Sequence, residues 1–258
     1  MERLRPSDYQ SVLNVVREIH EIQRMDDFPR RSMSGIGHLI ESDLLTYNEI
    51  DTRRQTAFMV QQPVGAIGAA QVQTFERLAY QHPLINHYAR TRESRPRKIS
   101  DFLSLTEFRR LDLYQEFFRD VALHFQMAVT IPSANTLVIG IALNRARRDF
   151  SERDRSVLDL VRPHLAQAYR NIAERSALRE RAEAAERALW SASATLLASL
   201  TRREHEILVL VADGKTNPQI AGRLSVSPRT VQKHLEHVYD KLGVRTRTAA
   251  AMKLGQAS

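Results

Sequence analysis

The chain has 258 residues, of which 43% are hydrophobic and 26% are charged, and its formal net charge is +8. This length favours two domains, and this apolar content can fill ordinary hydrophobic cores, so disorder is not expected. The absence of cysteine excludes disulfide bonds and thiolate metal sites. Because no apolar run approaches the roughly 18 residues of a membrane helix and the N-terminus lacks a signal-peptide core, we expect a cytoplasmic protein.

The positive charge is concentrated near the C-terminus. Residues 200–258 contain ten Lys or Arg against five Asp or Glu, whereas the first 199 residues contain 28 against 25. An excess of positive charge on a small helical module is typical of a protein that binds a polyanion. On charge alone, a solvated surface would be the better explanation.

The first part of the chain predicts one helix and then two strands. A capping box at residues 7–10, after Pro6, predicts the helix. The apolar pattern then changes to a period of two, which predicts strands at 44–50 and 56–60.

Two further helices are predicted at residues 74–90 and 107–120, on either side of a basic stretch at residues 92–98. A run of charge usually forms a solvated loop. A site for a nucleotide phosphate is the alternative interpretation of the same stretch.

The pattern then returns to strands. Residues 122–131 and 135–143 predict two strands joined by a turn at 132–135, and residues 149–154 carry the cap of a long helix. This order of elements predicts an α+β domain with a central antiparallel sheet and flanking helices.

Three motifs in this region resemble GAF domains: HPLINHY at 82–88, KISDFL at 98–103 and DFSERD at 149–154. The resemblance covers roughly residues 5–172. It implies a GAF-like sensor domain, which we place at residues 1–172.

Residues 173–199 predict a helical linker. Leu178, Leu189 and Leu196 lie on an apolar stripe whose steps alternate between three and four residues, which is the period of a coiled coil. We therefore expect parallel self-association into a homodimer. For the first half of the long helix, packing on its own domain is the alternative.

The last 59 residues predict a run of short capped helices. Capping boxes at 201–204 and 216–219 begin two of them, and Ser227 followed by Pro228 begins a third, longer one that ends at Gly243. In the longer helix one stripe is apolar and is expected to be buried; it consists of Val231, Leu235, Val238 and Leu242. A short helix, a tight turn and a longer helix with a polar outer face is the helix-turn-helix arrangement.

Four motifs in this region, LTRREHEIL, GKTNPQIA, SPRTVQKHL and KLGVRTRTA, resemble the four-helix LuxR-type DNA-binding domain of bacterial transcription regulators. We place that domain at residues 200–258. The chain departs from the family at Gln232, where Lys is usual, and at Ala249, where an acidic residue is usual. The first departure affects base preference, and the second weakens a helix cap.

The resemblance implies a site for double-stranded DNA. It places the outward positions of the longer helix in the major groove, where Gln232 can pair with adenine, Lys233 with guanine and Glu236 with cytosine. Six other residues of this helix and the preceding one are expected to contact phosphates, which position the helix without specifying sequence. These phosphate candidates are Thr216, Asn217, Ser227, Arg229, Thr230 and His234.

One such module contacts few bases, so a dimer on an inverted repeat is expected. The family's last helix commonly supplies a dimer contact. Its small-residue face here consists of Thr248, Ala251, Met252 and Gly255.

The N-terminal domain is predicted to hold a small-molecule pocket. Its candidate lining is aromatic and comprises Tyr47, Phe58, Tyr88, Phe102, Tyr114 and Phe125. A filled core is the alternative, in which case the same DNA-binding domain carries a ligand-free dimerisation or protein-docking domain. No pattern of a metal site, a cofactor site or a catalytic site is present, so we expect none of these and do not expect an enzyme.

Overall fold

The computed structural model describes residues 4–51, 53–54, 56–133 and 137–255. They form two compact units, one ending at Ser176 and one beginning at Ala177. Each unit is considered separately below.

The N-terminal unit contains helices and strands in mixed order. In chain order its elements are α1 Pro6–His20, α2 Phe28–Leu39, β1 Leu44–Asp51, β2 Thr56–Gln62, α3 Ala69–Leu78, α4 Pro83–Thr91, β3 Arg97–Lys98, α5 Leu105–Phe108, β4 Phe125–Ile131, β5 Leu137–Arg145 and the first part of α6, Glu152–Ala198. Short 3₁₀ turns lie at Met25–Asp27, Ala79–Gln81 and Ile99–Asp101, and a π-helical turn lies at Tyr114–Phe118.

The strands form one antiparallel sheet in the order β2-β1-β5-β4-β3. The predicted α+β class and the antiparallel sheet are therefore confirmed. Strands β1 and β5, which are central, place Thr46 opposite Ala142, and Ala142 lies in turn opposite Ala128 of β4. Because side chains alternate along a strand, Thr46, Ala142 and Ala128 share one face of the sheet with the residues two positions away on each strand.

The two faces are packed differently. The face that carries Leu45, Tyr47 and Leu143 packs with α1, α2 and α6 into a core of large aliphatic and aromatic side chains. Helices α1 and α2 approach closely, since a Cβ on Gly35 would lie 2.9 Å from Cγ1 of Val15. The other face packs with α3, α4 and the segment from Phe108 to Leu123.

Several helix boundaries differ from the predictions. α1 begins at Pro6, and the Asp8 carboxylate accepts the N–H of Arg5 at 2.8 Å, so the predicted capping box at 7–10 is wrong. The predicted helix at 74–90 is divided in two, because Pro83 cannot continue a helix but can begin one.

Other elements were displaced or missed. The predicted helix at 107–120 is replaced by α5 and the π-helical turn, and helix α2 was not predicted. Strand β4 begins at Phe125 rather than 122, since Ala122 has a positive φ of 55° that ends the preceding turn. Part of the predicted turn at 132–135 lies outside the described residues.

The C-terminal unit is helical and follows the prediction closely. Its elements are the end of α6, α7 Arg202–Ala212, α8 Asn217–Leu224, α9 Pro228–Leu242 and α10 Arg247–Gly255. The end of α6 belongs to this unit, since two leucines there and a third two residues beyond its end pack against α7, α9 and α10. These are Leu196, Leu197 and Leu200, and they contact a core of Leu208, Val238, Leu242 and Ala250.

Candidate nucleic-acid interface and effector cavity

Helix α9 begins and ends as its sequence predicts. The Ser227 hydroxyl accepts the N–H of Thr230 at 3.1 Å, and Pro228 occupies the first turn, where no N–H is needed. Gly243 ends the helix with a φ of 63°, which a residue with a side chain rarely adopts.

The apolar stripe of α9 is buried, which fixes the direction of its polar residues. The four predicted positions, Val231, Leu235, Val238 and Leu242, are at most 2% exposed. All three base-contact candidates, Gln232, Lys233 and Glu236, lie on the exposed side. A charged and amide-bearing helix face of this kind fits the width of the major groove.

Five of the six phosphate candidates lie at the starts of α8 and α9, the sixth, His234, lies in the middle of α9, and the six differ in exposure. Arg229, Thr230, Ser227 and Thr216 are exposed, and His234 is half-buried. Exposed residues in the first turn of α9 lie beside a helix N-terminus, which itself favours an anion.

Asn217, the remaining phosphate candidate, is half-buried and hydrogen bonded to two other side chains of the protein. Its Nδ2 donates to Oε1 of Gln232 at 3.0 Å, and its Oδ1 accepts from Nη1 of Arg247 at 2.9 Å. Gln232 in turn donates through Nε2 to Oε1 of Glu236 at 3.2 Å. Hydrogen bonds therefore join α8, α9 and α10 on the exposed side.

An ion pair and a hydrogen bond connect helix α7 to α9 and α8. In the capping box of α7, Glu204 accepts the N–H of Thr201 at 2.8 Å while Thr201 accepts the N–H of Glu204 at 3.3 Å. Lys241 of α9 donates to the same carboxylate at 2.6 Å. Arg203 donates to the carbonyl of Leu224 at 2.7 Å, which satisfies a free carbonyl at the end of α8.

The dimer candidates are divided between exposed and engaged positions. Leu178 and Met252 are 63% and 62% exposed, and Thr248 and Gly255 are also exposed. Leu196 and Ala251 are half-buried within their own unit. The side chain of Leu189 lies outside the described part of the structure, so its predicted role stays a prediction, as do the others.

A cavity of about 70 Å³ lies between the sheet and α3 and α4 of the N-terminal unit. Across β1, β5 and β4 its floor consists of three rows of facing residues: Leu44, Asn144 and Gln126; Thr46, Ala142 and Ala128; Asn48, Gly140 and Thr130. The small residues Ala142, Ala128 and Gly140 leave this space, whereas the same strands present Leu143, Ile141 and Met127 to the filled core on the other face. The cavity has several times the space that one water molecule needs.

The polar groups of the cavity are neutral amides, hydroxyls and one imidazole. Nε2 of Gln126 donates to Oδ1 of Asn144 at 2.8 Å, and Nδ2 of Asn144 donates to the carbonyl of Leu44 at 3.2 Å. Nδ2 of Asn48 donates to the hydroxyl of Thr46 at 2.9 Å. None of the described residues that line this cavity is Asp, Glu, Lys or Arg.

His82 lines the cavity in its neutral form. It is 2% exposed, and burial lowers its pKa to about 4. Its Nδ1 accepts the N–H groups of Leu84 and Ile85 at 3.2 and 3.4 Å, so it caps α4. The imidazole therefore supplies a buried polar group without charge at neutral pH.

Of the six predicted pocket residues, the structure places only Tyr88 at this cavity. Its hydroxyl donates to the carbonyl of Ala128 at 2.6 Å, and burial raises its pKa. Tyr47 lies on the opposite face of the sheet, and Phe58 and Phe102 are 55% and 39% exposed.

The last two predicted pocket residues also lie elsewhere. Tyr114 packs in the core beside the cavity, with its hydroxyl 3.0 Å from Nδ1 of His124, and Phe125 lines a separate small cleft. The structure therefore does not bring the six aromatic residues together around one cavity. A period-two run of small and polar residues on β5, Gly140, Ala142 and Asn144, is the signal in the sequence that marks the cavity instead.

Two of the four basic residues in the stretch at 92–98 are engaged in ion pairs. Arg97 donates to both carboxylate oxygens of Glu93 at 3.0 Å, and Nζ of Lys98 lies 3.3 Å from Glu152 and 3.7 Å from Asp149. Arg97 and Lys98 form the edge strand β3, so the prediction of a solvated loop is wrong for these two residues. Ion pairing therefore occupies Arg97 and Lys98, whereas Arg92 and Arg95 are exposed, and the phosphate site stays a prediction.

Among the residues described by the structure, no helix is both long enough and apolar enough to span a membrane. Within the same ranges, no three His, Asp or Glu side chains are grouped as a bound metal ion would require.

Comparison with known proteins identifies the C-terminal module. Residues 198–254 match the family "Bacterial regulatory proteins, luxR family". The chain is 54% identical over 54 residues to the probable transcriptional regulatory protein SgaR of Hyphomicrobium methylovorum, and this match spans 21% of the chain and 26% of that protein. The chain therefore spans only about a quarter of the length of that relative. The predicted LuxR-type domain is confirmed: the C-terminal module is a luxR-family helix-turn-helix domain.

Two solved structures were matched to part of the chain at low sequence identity. The VqsR LBD domain from Pseudomonas aeruginosa has a TM-score of 0.50 at 12% identity and covers 65% of this chain and 99% of that chain. The GAF domain of a two-component sensor histidine kinase from Bacillus halodurans has a TM-score of 0.42 at 18% identity and covers 60% of this chain and 99% of that chain. The likeness to the VqsR domain concerns the fold alone.

Proposed function

We propose that this chain is a bacterial transcriptional regulator that binds promoter DNA through α9 as a homodimer, and that a small uncharged effector in the N-terminal cavity controls this binding. The observation that carries the proposal is the division of α9 into a fully buried apolar stripe and an exposed face of Gln232, Lys233 and Glu236. Direct readout needs such side chains on a helix that the rest of the domain holds rigidly.

The proposed dimer rests on surfaces that are unpartnered within one chain. Residues 179–188 of α6 are exposed on all sides, and Leu178 is 63% exposed. A helix exposed all round gains little from packing, so a second copy of the same helix would stabilise it. On α10, Met252 and Thr248 offer a second contact.

The proposed effector follows from the chemistry of the cavity. The lining is mainly apolar, with amide and hydroxyl groups of Gln126, Asn144, Asn48 and Thr46 along the sheet. A charged ligand would lose its hydration without meeting an ionised partner, which costs far more than hydrogen bonds to amides return. We therefore propose an uncharged, mostly apolar molecule with a carbonyl, amide or hydroxyl group.

The DNA-binding part is tested by selecting duplexes from a random library with the full chain, followed by titration. We expect an enriched inverted repeat that binds at least tenfold more tightly than a random duplex, as sequence-specific proteins commonly do. Equal affinity for both duplexes would contradict specific recognition.

The effector part is tested with Ala142→Leu, which would fill the cavity from its floor. Native mass spectrometry of the purified chain should detect a bound uncharged molecule in the wild type and not in Ala142→Leu. Adding that molecule should change the DNA affinity of the wild type only. A full chain whose DNA affinity does not respond to any molecule bound there would contradict an effector role.

A second candidate function is a ligand-free dimerisation or protein-docking domain on the same DNA-binding module. It is favoured by the small volume of the cavity and by Tyr9 and Leu13, which are 50% and 61% exposed on α1. Under this alternative, Leu13→Ser would weaken self-association or partner binding while Ala142→Leu would change neither.

A further inference from the structure

The hydrogen bonds on the exposed side of the helix-turn-helix form a continuous chain of four side chains. Arg247 donates to Asn217, Asn217 donates to Gln232 and Gln232 donates to Glu236, at 2.9, 3.0 and 3.2 Å. Arg247 is anchored by a second hydrogen bond to the carbonyl of Lys215. Arg247 and Asn217 are half-buried, whereas Gln232 and Glu236 are exposed.

The two residues at the ends of this series of hydrogen bonds determine which groups donate and which accept. The guanidinium of Arg247 can only donate, so the oxygen of the Asn217 amide must face it. The ionised carboxylate of Glu236 can only accept, so the Gln232 amide must turn its nitrogen toward Glu236. Turning either amide around would place two donors or two acceptors against each other, and both amides are therefore held in one orientation.

These hydrogen bonds leave one donor and one acceptor site of the Gln232 amide unused. One N–H of Nε2 and one lone pair of Oε1 are not used by Asn217 or Glu236. Recognition of adenine by glutamine needs one donor for N7 and one acceptor for the N6 amino group. The fixed amide presents that pair with a defined order along α9.

We propose that Asn217 and Arg247 are positioning residues for base recognition: they hold the Gln232 amide in one orientation and so determine the base preference at the position it contacts. This proposal rests on the proposed function, since it concerns how α9 recognises DNA. It also replaces the expectation that Asn217 contacts a phosphate, because both ends of its amide are engaged by protein groups.

The experiment compares Asn217→Ala with the control His205→Ala, which lies at an exposed position on α7, in the full chain. The probes are the duplex selected with the wild-type chain, the same duplex with each substitution at the base pair where Gln232→Ala relaxes the preference, and a random duplex. We expect Asn217→Ala to lose roughly fivefold or more of the preference at that one position. Its affinity for the random duplex and the salt dependence of binding should stay at wild-type values, and His205→Ala should keep the preference.

A phosphate contact would give another result. Asn217→Ala would then weaken binding to all duplexes alike and reduce the dependence of binding on salt concentration. A merely structural role would lower the thermal unfolding midpoint and the affinity for all duplexes together. Either result would overturn the proposal.

A double-mutant cycle provides the second readout. If Asn217 acts through Gln232, adding Asn217→Ala to Gln232→Ala should change the affinity for the selected duplex less than twofold. Independent effects that multiply would contradict the proposal. A wild-type chain that selects no sequence would instead contradict the proposed function itself, and the inference with it.

Discussion

Lys241 near the end of α9 places Nζ 2.6 Å from Oε2 of Glu204, which is 4% exposed in the first turn of α7. The same oxygen accepts the N–H of Thr201 at 2.8 Å. Burial by itself would raise the pKa of Glu204, but the hydrogen bonds from Lys241 and Thr201 outweigh it and hold the pKa below its usual value. One carboxylate thus caps α7 and connects it to the recognition helix.

We predict that Glu204→Gln destabilises the chain at pH 7 by about 1–3 kcal/mol, because it removes a charged partner of Lys241. A lowered carboxyl pKa contributes stability above the unfolded-state value, near 4.3, and this contribution is lost as pH falls through the folded-state value. The difference between variant and wild type should therefore shrink below about pH 4. Urea unfolding at pH 7 and pH 3.5 measures it.

The control for this prediction is Glu206→Gln. Glu206 pairs with Arg203 at 3.0 Å on a more exposed surface, so its replacement should change stability little. Equal destabilisation by Glu204→Gln at both pH values would show that the ionised carboxylate is not what stabilises this contact.

A second prediction concerns His82 in the cavity. Its pKa of about 4 lies below that of an unfolded histidine, so the unfolded state binds more protons between pH 6.5 and 4. Stability should fall by about 2 kcal/mol between pH 7 and pH 5 from this group alone. His82→Asn keeps an acceptor that caps α4 but does not titrate, and should remove that part of the acid sensitivity.

Urea unfolding of the full chain at pH 7 and pH 5 tests this prediction, with His38→Asn at an exposed position as the control. If His82→Asn and wild type lose the same stability between these pH values, the imidazole is not held neutral by burial.

How well the sequence predicted the structure depended on the range of the interactions. The caps at Thr201 and Ser227 and the stop at Gly243 are signals within a few residues, and the structure has all of them. The buried stripe of α9 is likewise set by local periodicity, because any helix of that sequence must bury one face.

The cavity could not be located in the same way. The alternation in β1 separates Thr46 and Asn48 from Tyr47, but it does not say which face meets loosely packed helices. That depends on how α3 and α4 lie across the sheet, which is decided by contacts far apart in sequence. Residue type alone therefore predicts an aromatic pocket, but most of the six aromatic residues lie elsewhere.

The sequence contains a local signal for one of the differing elements but not for another. Pro83 is a local signal against one helix through 74–90. Strand β3, with only Arg97 and Lys98, has no apolar pattern of its own and forms because β4 offers a free edge.

A third prediction concerns the linker part of α6. If Leu178 and its neighbours pair between two chains, the DNA-binding domains are spaced by the phase of this helix. Inserting one alanine after Ala184 rotates everything beyond it by about 100°, whereas inserting seven residues nearly restores the phase. We expect the single insertion to weaken binding to the selected inverted repeat and the seven-residue insertion largely to preserve it.

Gel shifts of both insertion variants on one duplex measure this effect. Binding to a single half-site is the control, since neither insertion should change it. Equal tolerance of both insertions on the inverted repeat would show that the linker is a passive tether and that α10 alone makes the dimer.

The central claim, that the exposed face of α9 recognises bases, is tested most directly by titrating Lys233→Ala and Arg229→Ala against the selected duplex and a random duplex. We predict that Lys233→Ala costs about 1–3 kcal/mol on the selected duplex, relaxes the preference at one base pair and leaves random binding nearly unchanged. Arg229→Ala should weaken both duplexes alike and reduce the salt dependence of binding. Identical behaviour of the two variants on both duplexes would contradict the claim.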